Sequence, residues 1–178
     1  MLSKITYKYS PNFNNYKRNK SDIKFLIIHY TGMRKEKDAI ERLINIQSEV
    51  SSHYFIKYNG KIIQLIPDLY TAWHAGKSAW GKKKLLNDFS IGIEISNTGH
   101  NYGYKNYKKK QITALIKLLR NLKKKYKIKS ENILGHSDIA PVRKKDPGEK
   151  FPWKKLAKKK LSIWHKVNSI ILKKLRRK

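Results

Sequence analysis

The chain has 178 residues, contains no cysteine and carries a formal net charge of +30. Without cysteine, disulfides, thiolate metal sites and a cysteine nucleophile are excluded. A hydrophobic fraction of 39% excludes global disorder, and the length predicts one compact domain with its own core.

The N-terminal stretch MLSKITYKYSPNFNNYKRNK lacks the apolar segment of a signal peptide. No window approaches the roughly 18 consecutive apolar residues of a membrane span, so no transmembrane segment is predicted. We therefore expect a cytoplasmic protein. If a leader has been removed, the cell envelope or periplasm is the alternative.

The positive charge has two interpretations. It can attract a polyanion, such as nucleic acid or an anionic surface. It can also reflect A/T-rich codons, since Lys, Ile, Asn and Tyr are all abundant and only 7 of the 42 basic residues are Arg. The scarcity of Arg, the residue suited to bidentate base and phosphate contacts, argues against a dedicated nucleic-acid reader.

The first third of the chain predicts an extended segment, a strand, a helix and a hairpin. Residues 1–22 are polar and are predicted to form an extended lead-in. The continuous apolar run KFLIIHYTG indicates a buried central strand, and residues 36–47 have the spacing of an amphipathic helix. The segment HYFIKYNGKIIQLI contains Asn59-Gly60 between two β-rich runs, which predicts a hairpin.

The segment SIGIEIS alternates between two kinds of side chain. Ile91, Ile93 and Ile95 fall on one face of the predicted strand, and Gly92 and Glu94 fall on the other. The pattern therefore predicts a strand that carries a carboxylate on the face opposite its apolar side.

The last third predicts a long helix in KKKQITALIKLLRNLKKKYK, a short strand in NILG and a basic helix over residues 153–178. This order of elements predicts a single α/β domain with a central mixed sheet flanked by helices. We divide the chain into the lead-in (1–22), a catalytic domain (23–160) and a basic C-terminal helical tail (161–178).

The stretch GHSDIAPVRKKDPG, residues 135–148, gathers scarce residue types: His136, Asp138 and Asp146. Its prolines and glycines predict a non-helical loop. His29 lies at the end of the apolar strand and His136 follows NILG, so two His and Asp146 at element ends could form a three-ligand zinc set. As a bare pattern this set is weak, because a buried histidine is often only a core residue.

Glu94 and Lys144 each have two interpretations. Glu94 could act as a general base for a metal-bound water, or it could be a strand glutamate paired with a lysine. Lys144 could be one of many solvated charges. If its loop is extended, however, Lys144 and Asp146 face the same pocket and Lys145 faces away.

Four segments carry a resemblance to a known family: FLIIHYTGM, VSSHYFIKYNGKIIQLIPDLYTAWHAGKSAW, LNDFSIGIEISNTG and GHSDIAPVRKKDPGEKFPW. Together they resemble the zinc-dependent N-acetylmuramoyl-L-alanine amidases, which include AmpD and AmiD enzymes and share their fold with peptidoglycan-recognition proteins. The resemblance extends from about Ser10 to Trp153. The blocks SPNFNNY and HYTGM are more similar to the AmiD branch.

The resemblance implies a role for each of five residues. It implies that His29, His136 and Asp146 bind zinc. It also implies that Glu94 is the catalytic acid/base and that Lys144 polarises the substrate carbonyl and stabilises the oxyanion.

The resemblance also implies that Trp73 and His74 lie in the substrate groove, with Asn97 nearby. His53 is expected to be a structural residue rather than a fourth ligand. His100 and His165 match nothing in the family pattern and are expected on the surface.

The implied reaction is hydrolysis of the amide between the lactyl group of N-acetylmuramic acid and L-alanine. The partner is then peptidoglycan or a small anhydro-muropeptide, and the sequence leaves this choice open. The alternatives are a non-catalytic peptidoglycan-binding module of the same fold, or a binder of anionic surfaces or nucleic acid. We expect a monomer.

Overall fold

The computed structural model describes residues 5–164. In chain order, its strands and α-helices are β1 (Ile5–Tyr7), β2 (Phe13–Lys17), β3 (Phe25–Tyr30), α1 (Glu36–Ile44), β4 (Tyr54–Ile56), β5 (Ile62–Gln64), β6 (Tyr70–Ala72), β7 (Ala79–Trp80), β8 (Lys83–Lys84), β9 (Ser90–Ile95), α2 (Lys109–Lys125), β10 (Ile133–Gly135), α3 (His136–Ile139) and α4 (Trp153–Ala157).

Six strands form a central mixed sheet in the order β1-β5-β4-β9-β3-β10. β4 and β5 are the antiparallel arms of the predicted hairpin. β4, β9, β3 and β10 run parallel to one another. The predicted α/β class and central mixed sheet are therefore confirmed, and the continuous apolar run of β3 reflects its position inside a parallel sheet covered on both faces.

The two faces of the sheet have different partners. The isoleucines of β9 share one face, as the alternation predicted, and the apolar stripe of α2 packs on that face. Ile91, Ile93 and Ile95 are fully buried there, and each such side chain contributes roughly 1.5–3 kcal/mol of transfer free energy. The opposite face is covered by α1 and by the segment between β6 and β9.

The described part of the lead-in, residues 5–22, contains two strands and a final 3-10 turn at Lys20–Asp22, and it packs on the rest of the domain. β1 adds a parallel edge strand beside β5, and β2 pairs with β6. Between these strands, Ser10 and Asn12 are buried. Their side chains bond to backbone carbonyls at the end of α1, Leu43 and Asn45. The segment between β1 and β2 has few apolar side chains, and hydrogen bonds from its buried polar side chains attach it to the domain.

At the C-terminal end, α4 is short, and Leu156 and Leu161 anchor residues 153–164 on the domain. The remainder of the predicted basic helix, residues 165–178, lies outside the described residues. Between residues 5 and 164, no helix has both the length and the apolar character needed to cross a membrane.

Candidate active site

The register of the parallel strands places the predicted site residues side by side. His29 on β3 pairs with Glu94 on β9. Gly135, the last residue of β10, pairs with Ile28, so His136 follows directly beside His29. The carboxyl ends of these strands meet at one edge of the sheet, where ligands commonly bind in open α/β sheets.

Three donor atoms converge at this edge. Nδ1 of His29 lies 2.9 Å from Nδ1 of His136 and 3.0 Å from Oδ2 of Asp146, and the last two atoms are 3.1 Å apart. All three residues are buried. Ligands of a tetrahedral zinc ion, about 2.0–2.1 Å from the metal, are about 3.3–3.4 Å from one another. The triangle therefore has the size and the donor types of a site that could hold a metal ion.

The protonation states also suit metal ligands. Burial lowers the pKa of His29 to about 4, aided by the neighbouring His136. Burial opposes ionisation of Asp146, but hydrogen bonding to His136 and His29 outweighs it and holds the pKa of Asp146 well below its usual range. At neutral pH His29 is neutral and Asp146 is ionised, which are the forms that bind metals.

The outward nitrogens of the two histidines have protein partners. Nε2 of His136 lies 3.0 Å from the carbonyl oxygen of Ala75, which can only accept. Its proton is therefore on Nε2, and the lone pair of Nδ1 points into the triangle. Nε2 of His29 lies 3.1 Å from Nδ1 of His74. Such outer contacts orient metal-binding imidazoles in proteins.

Glu94 places a second carboxyl group at the site. Its Oε2 is buried, and among residues 5–164 no hydrogen-bond partner reaches it. Burial, together with the smaller effect of the Asp146 charge, raises the pKa of Glu94 to about 8, although Lys144 opposes the rise. A carboxyl oxygen that is close to a metal site and has no protein partner can exchange a proton with a bound molecule.

The stretch from 135 to 148 is folded differently from the prediction. The expected non-helical loop begins with the one-turn helix α3, so that expectation is wrong for His136–Ile139. The turn is possible because its prolines and glycines flank α3, and because Asp138 accepts the N–H of Gly135. The backbone N–H of Ser137 donates to the carbonyl of Asp146, which closes the loop on itself.

The second half of this loop is a turn and not an extended segment. The amides of Arg143 and Lys144 both donate to the carbonyl of Ala140. The side chains of residues 144–146 therefore do not alternate in direction as predicted for an extended loop. Lys144 and Lys145 both line the cavity above the metal-ligand triangle. Lys144 is half-buried and close enough to influence Glu94 and His29, whereas Lys145 is exposed.

The cavity has a volume of about 490 Å³ and a predominantly basic rim. It is lined by the triangle, Glu94 and the cations Arg42, Arg143, Lys144 and Lys145. Arg143 also bonds to the carbonyls of Ala75 and Lys77, which ties the 135–148 loop to the opposite wall.

The three predicted substrate-groove residues have different environments. Trp73 lines the cavity, and its indole N–H donates to Asn14. His74 also contributes to the lining, but it is buried against His29. Asn97 is buried, and its amide bonds to the backbone of Gly99 and Lys105, which shapes the loop after β9.

The sequence did not indicate several residues that build the wall behind the site. Arg18 is buried and donates to the carbonyls of Asn87 and Ser90. Gly92 leaves the space that His74 occupies, because a Cβ at Gly92 would lie 2.4 Å from the His74 ring. A glycine inside an otherwise alternating strand was the one available signal for this close approach.

Comparisons with known proteins place the chain in context. Residues 19–149 match the family model Amidase_2, described as N-acetylmuramoyl-L-alanine amidase. The chain is 43% identical to "N-acetylmuramoyl-L-alanine amidase AmiD" of Escherichia coli over 155 residues, covering 80% of this chain and 55% of AmiD. It is 33% identical to "1,6-anhydro-N-acetylmuramyl-L-alanine amidase AmpD" of Haemophilus influenzae, covering 82% of this chain and 86% of that protein.

A solved structure of E. coli AmiD, in complex with the substrate anhydro-N-acetylmuramic acid-L-Ala-D-γ-Glu-L-Lys, superposes with a TM-score of 0.75 at 38% identity. That match covers 89% of this chain and 65% of the AmiD chain. This chain thus spans little more than half the length of curated AmiD.

Proposed function

The chain belongs to the N-acetylmuramoyl-L-alanine amidase family, and we propose that it hydrolyses the amide bond between the lactyl group of N-acetylmuramic acid and L-alanine. The observation that carries this proposal is the buried His29, His136 and Asp146 triangle with Glu94 and Lys144 at the same cavity.

We assign zinc to the triangle. Two imidazole nitrogens and one carboxylate oxygen are a donor set that zinc accepts, and three protein ligands leave a position for water or substrate. When bound, zinc would polarise the substrate carbonyl and make water a better nucleophile at neutral pH. The protein would hold its ligands through the contacts of His136 with Ala75 and of His29 with His74.

Glu94 would move the proton. Its neighbour across the strand pair is His29, so its carboxylate lies beside the metal-ligand triangle. In its ionised form, which a nearby zinc ion would favour, Glu94 would take a proton from the attacking water at Oε2 and then deliver it to the leaving amine of L-alanine.

Lys144 would stabilise the developing negative charge. Its side chain lies at the cavity and is close enough to Glu94 and His29 to affect both electrostatically. A fixed positive charge at the amide oxygen lowers the barrier only when negative charge forms there. The exposed Lys145 is a less confined cation and would contribute to the attraction of substrate.

Muropeptides carry free carboxylates, which a basic rim attracts. We propose that Arg42, Arg143 and Lys145 provide this attraction, and that Trp73 offers a flat apolar surface to the sugar or peptide. Because the E. coli AmiD structure contains an anhydro-muramyl tripeptide, we propose anhydro-muropeptides as a substrate class of this chain and intact peptidoglycan as the second.

A non-catalytic peptidoglycan-binding module is not favoured. A binding module needs the groove but not a metal-ligand triangle with an acid at its side. Nor does the basic composition require an anionic-surface or nucleic-acid binder, since four of the cations line the cavity itself.

Mass spectrometry of the products tests the proposal. The purified protein is incubated with a 1,6-anhydro-muropeptide and, separately, with intact sacculi. Release of a free peptide that begins with L-alanine, with a mass gain of one water across the two products, is expected from at least one substrate. Binding without any cleavage of either substrate would support the non-catalytic module instead.

A further inference from the structure

Behind His29 lies a chain of hydrogen-bonding groups that the sequence did not reveal. Nε2 of His29 is 3.1 Å from Nδ1 of His74. Nε2 of His74 is 3.2 Å from Oγ of Ser90. Ser90 in turn bonds to the carbonyl oxygen of Leu86 at 2.5 Å. His29, His74 and Ser90 are all buried.

In this series of hydrogen bonds, the Leu86 carbonyl determines which atom donates at every step. The carbonyl of Leu86 can only accept, so the Ser90 hydroxyl donates to it. Oγ of Ser90 then accepts from Nε2–H of His74, which leaves a lone pair on Nδ1 of His74. That lone pair accepts Nε2–H of His29, and so the Nδ1 lone pair of His29 points into the metal-ligand triangle.

We propose that Ser90 and His74 are positioning residues that fix the metal-binding tautomer of His29. This inference rests on the proposed metal site and extends it by two residues. His136 obtains the same tautomer directly from the Ala75 carbonyl. Nε2 of His29 contacts a histidine instead of a carbonyl. Through the Ser90–His74 pair, the Leu86 carbonyl, which can only accept, determines which nitrogen of His29 carries the proton.

The surrounding structure leaves His74 little freedom to turn. Gly92 lies directly beneath the ring, and any Cβ there would collide with it. The side-chain oxygen of Asn87 accepts the backbone N–H groups of both His74 and Ala75. One short segment, residues 86–90, therefore orients the partners of both metal-binding histidines.

Removing the Ser90 hydroxyl would remove the group that fixes which nitrogen of His74, and therefore of His29, carries the proton. In Ser90→Ala, Nε2–H of His74 loses its acceptor, and the tautomer with the proton on Nδ1 is no longer disfavoured. A proton on Nδ1 of His74 faces Nε2 of His29 and forces the His29 proton onto Nδ1, where the metal must bind. Loss of such an outer contact typically weakens metal binding about 10–100-fold.

The test measures zinc affinity by competition with a chromophoric chelator, for the wild-type protein and for Ser90→Ala. The matched control is Ser96→Ala, because Ser96 is equally buried but its hydroxyl bonds to Glu36. Circular dichroism melts verify that each variant is folded. We expect a 10–100-fold weaker zinc affinity for Ser90→Ala and a change below about twofold for Ser96→Ala.

Nitrogen-15 NMR of the zinc-loaded wild-type protein provides a second measurement that needs no variant. His74 should carry its proton on Nε2 and a bare Nδ1. A proton on Nδ1 of His74, or equal zinc affinities of folded Ser90→Ala and wild type, would overturn the relay. If instead the wild type binds no zinc, the proposed function fails and not the relay alone.

Discussion

At the scale of single residues, Glu94 shows how the fold creates a reactive group. It pairs in register with His29, and its Oε2 is buried without a partner among residues 5–164. Glu94→Gln keeps the shape and removes the proton acceptor. We expect turnover to fall about 10²–10⁴-fold, the usual loss of a positioned general base. Zinc content should stay at the wild-type level, and a near-normal kcat would place the base elsewhere.

Lys144 is distinguished from the many other lysines by its place at the cavity. Lys144→Ala should lower kcat about 10²–10³-fold, the typical loss of an oxyanion donor, with zinc content and fold unchanged. Because Lys145 also lines the cavity, the cleaner control is Lys117→Ala, a lysine on the exposed side of α2. Equal kcat values for the Lys144 and Lys117 variants would remove Lys144 from the mechanism.

Sequence reasoning identified the residues that meet at the cavity because a family resemblance singled them out. It did not identify Ser90, Asn87 or Arg18, since each acts through a contact with a residue of another segment: Ser90 with His74, Asn87 with Ala75 and Arg18 with Ser90. Such contacts depend on tertiary geometry and leave no spacing pattern. The role of His74 was assigned to the substrate groove, whereas its closest polar contact is with His29.

At the scale of elements, local patterns predicted β3, β9, the β4–β5 hairpin and α2. Their periodicity is strong and their apolar faces are buried as expected. The pairing of β1 with β5 was not predicted, because it joins residues far apart in the chain and the segment is polar. The single turn of α3 was missed for a different reason: it is too short for periodicity to indicate it.

One buried carboxylate joins the hairpin to the end of α2. Burial opposes ionisation of Asp68, but hydrogen bonds from Lys125, Tyr54 and Tyr126 outweigh it and lower the pKa of Asp68. A lowered pKa means that the folded state favours the ionised form. The stability that Asp68 contributes is therefore fully present above the unfolded pKa of about 3.9 and is lost as pH falls below it.

Asp68→Asn tests this linkage. Urea unfolding should show the variant less stable than the wild type at pH 7, because the amide offers weaker acceptors to Lys125 and the two tyrosines. The difference in unfolding free energy should shrink as pH is lowered below about 4. A difference that stays constant from pH 7 to pH 2 would show that the Asp68 charge does not contribute.

At the scale of the whole molecule, the charge of +30 makes long-range attraction testable. If the basic cavity rim captures anionic muropeptides, kcat/KM should fall as salt is added while kcat changes little. Salt screens attraction between charges that are farther apart than the Debye length, which is about 10 Å at 0.1 M salt. A flat salt profile would support the alternative interpretation, in which codon composition placed lysine on a tolerant surface.

Metal reconstitution tests the central claim, a zinc-dependent amidase, most directly. The protein is stripped with a chelator, zinc is added back in steps, and hydrolysis of an anhydro-muropeptide is measured at each step. The account predicts no turnover without metal and a linear rise that ends at about one zinc per chain, with no recovery in His136→Ala. Full turnover by the metal-free protein, or by His136→Ala, would contradict it.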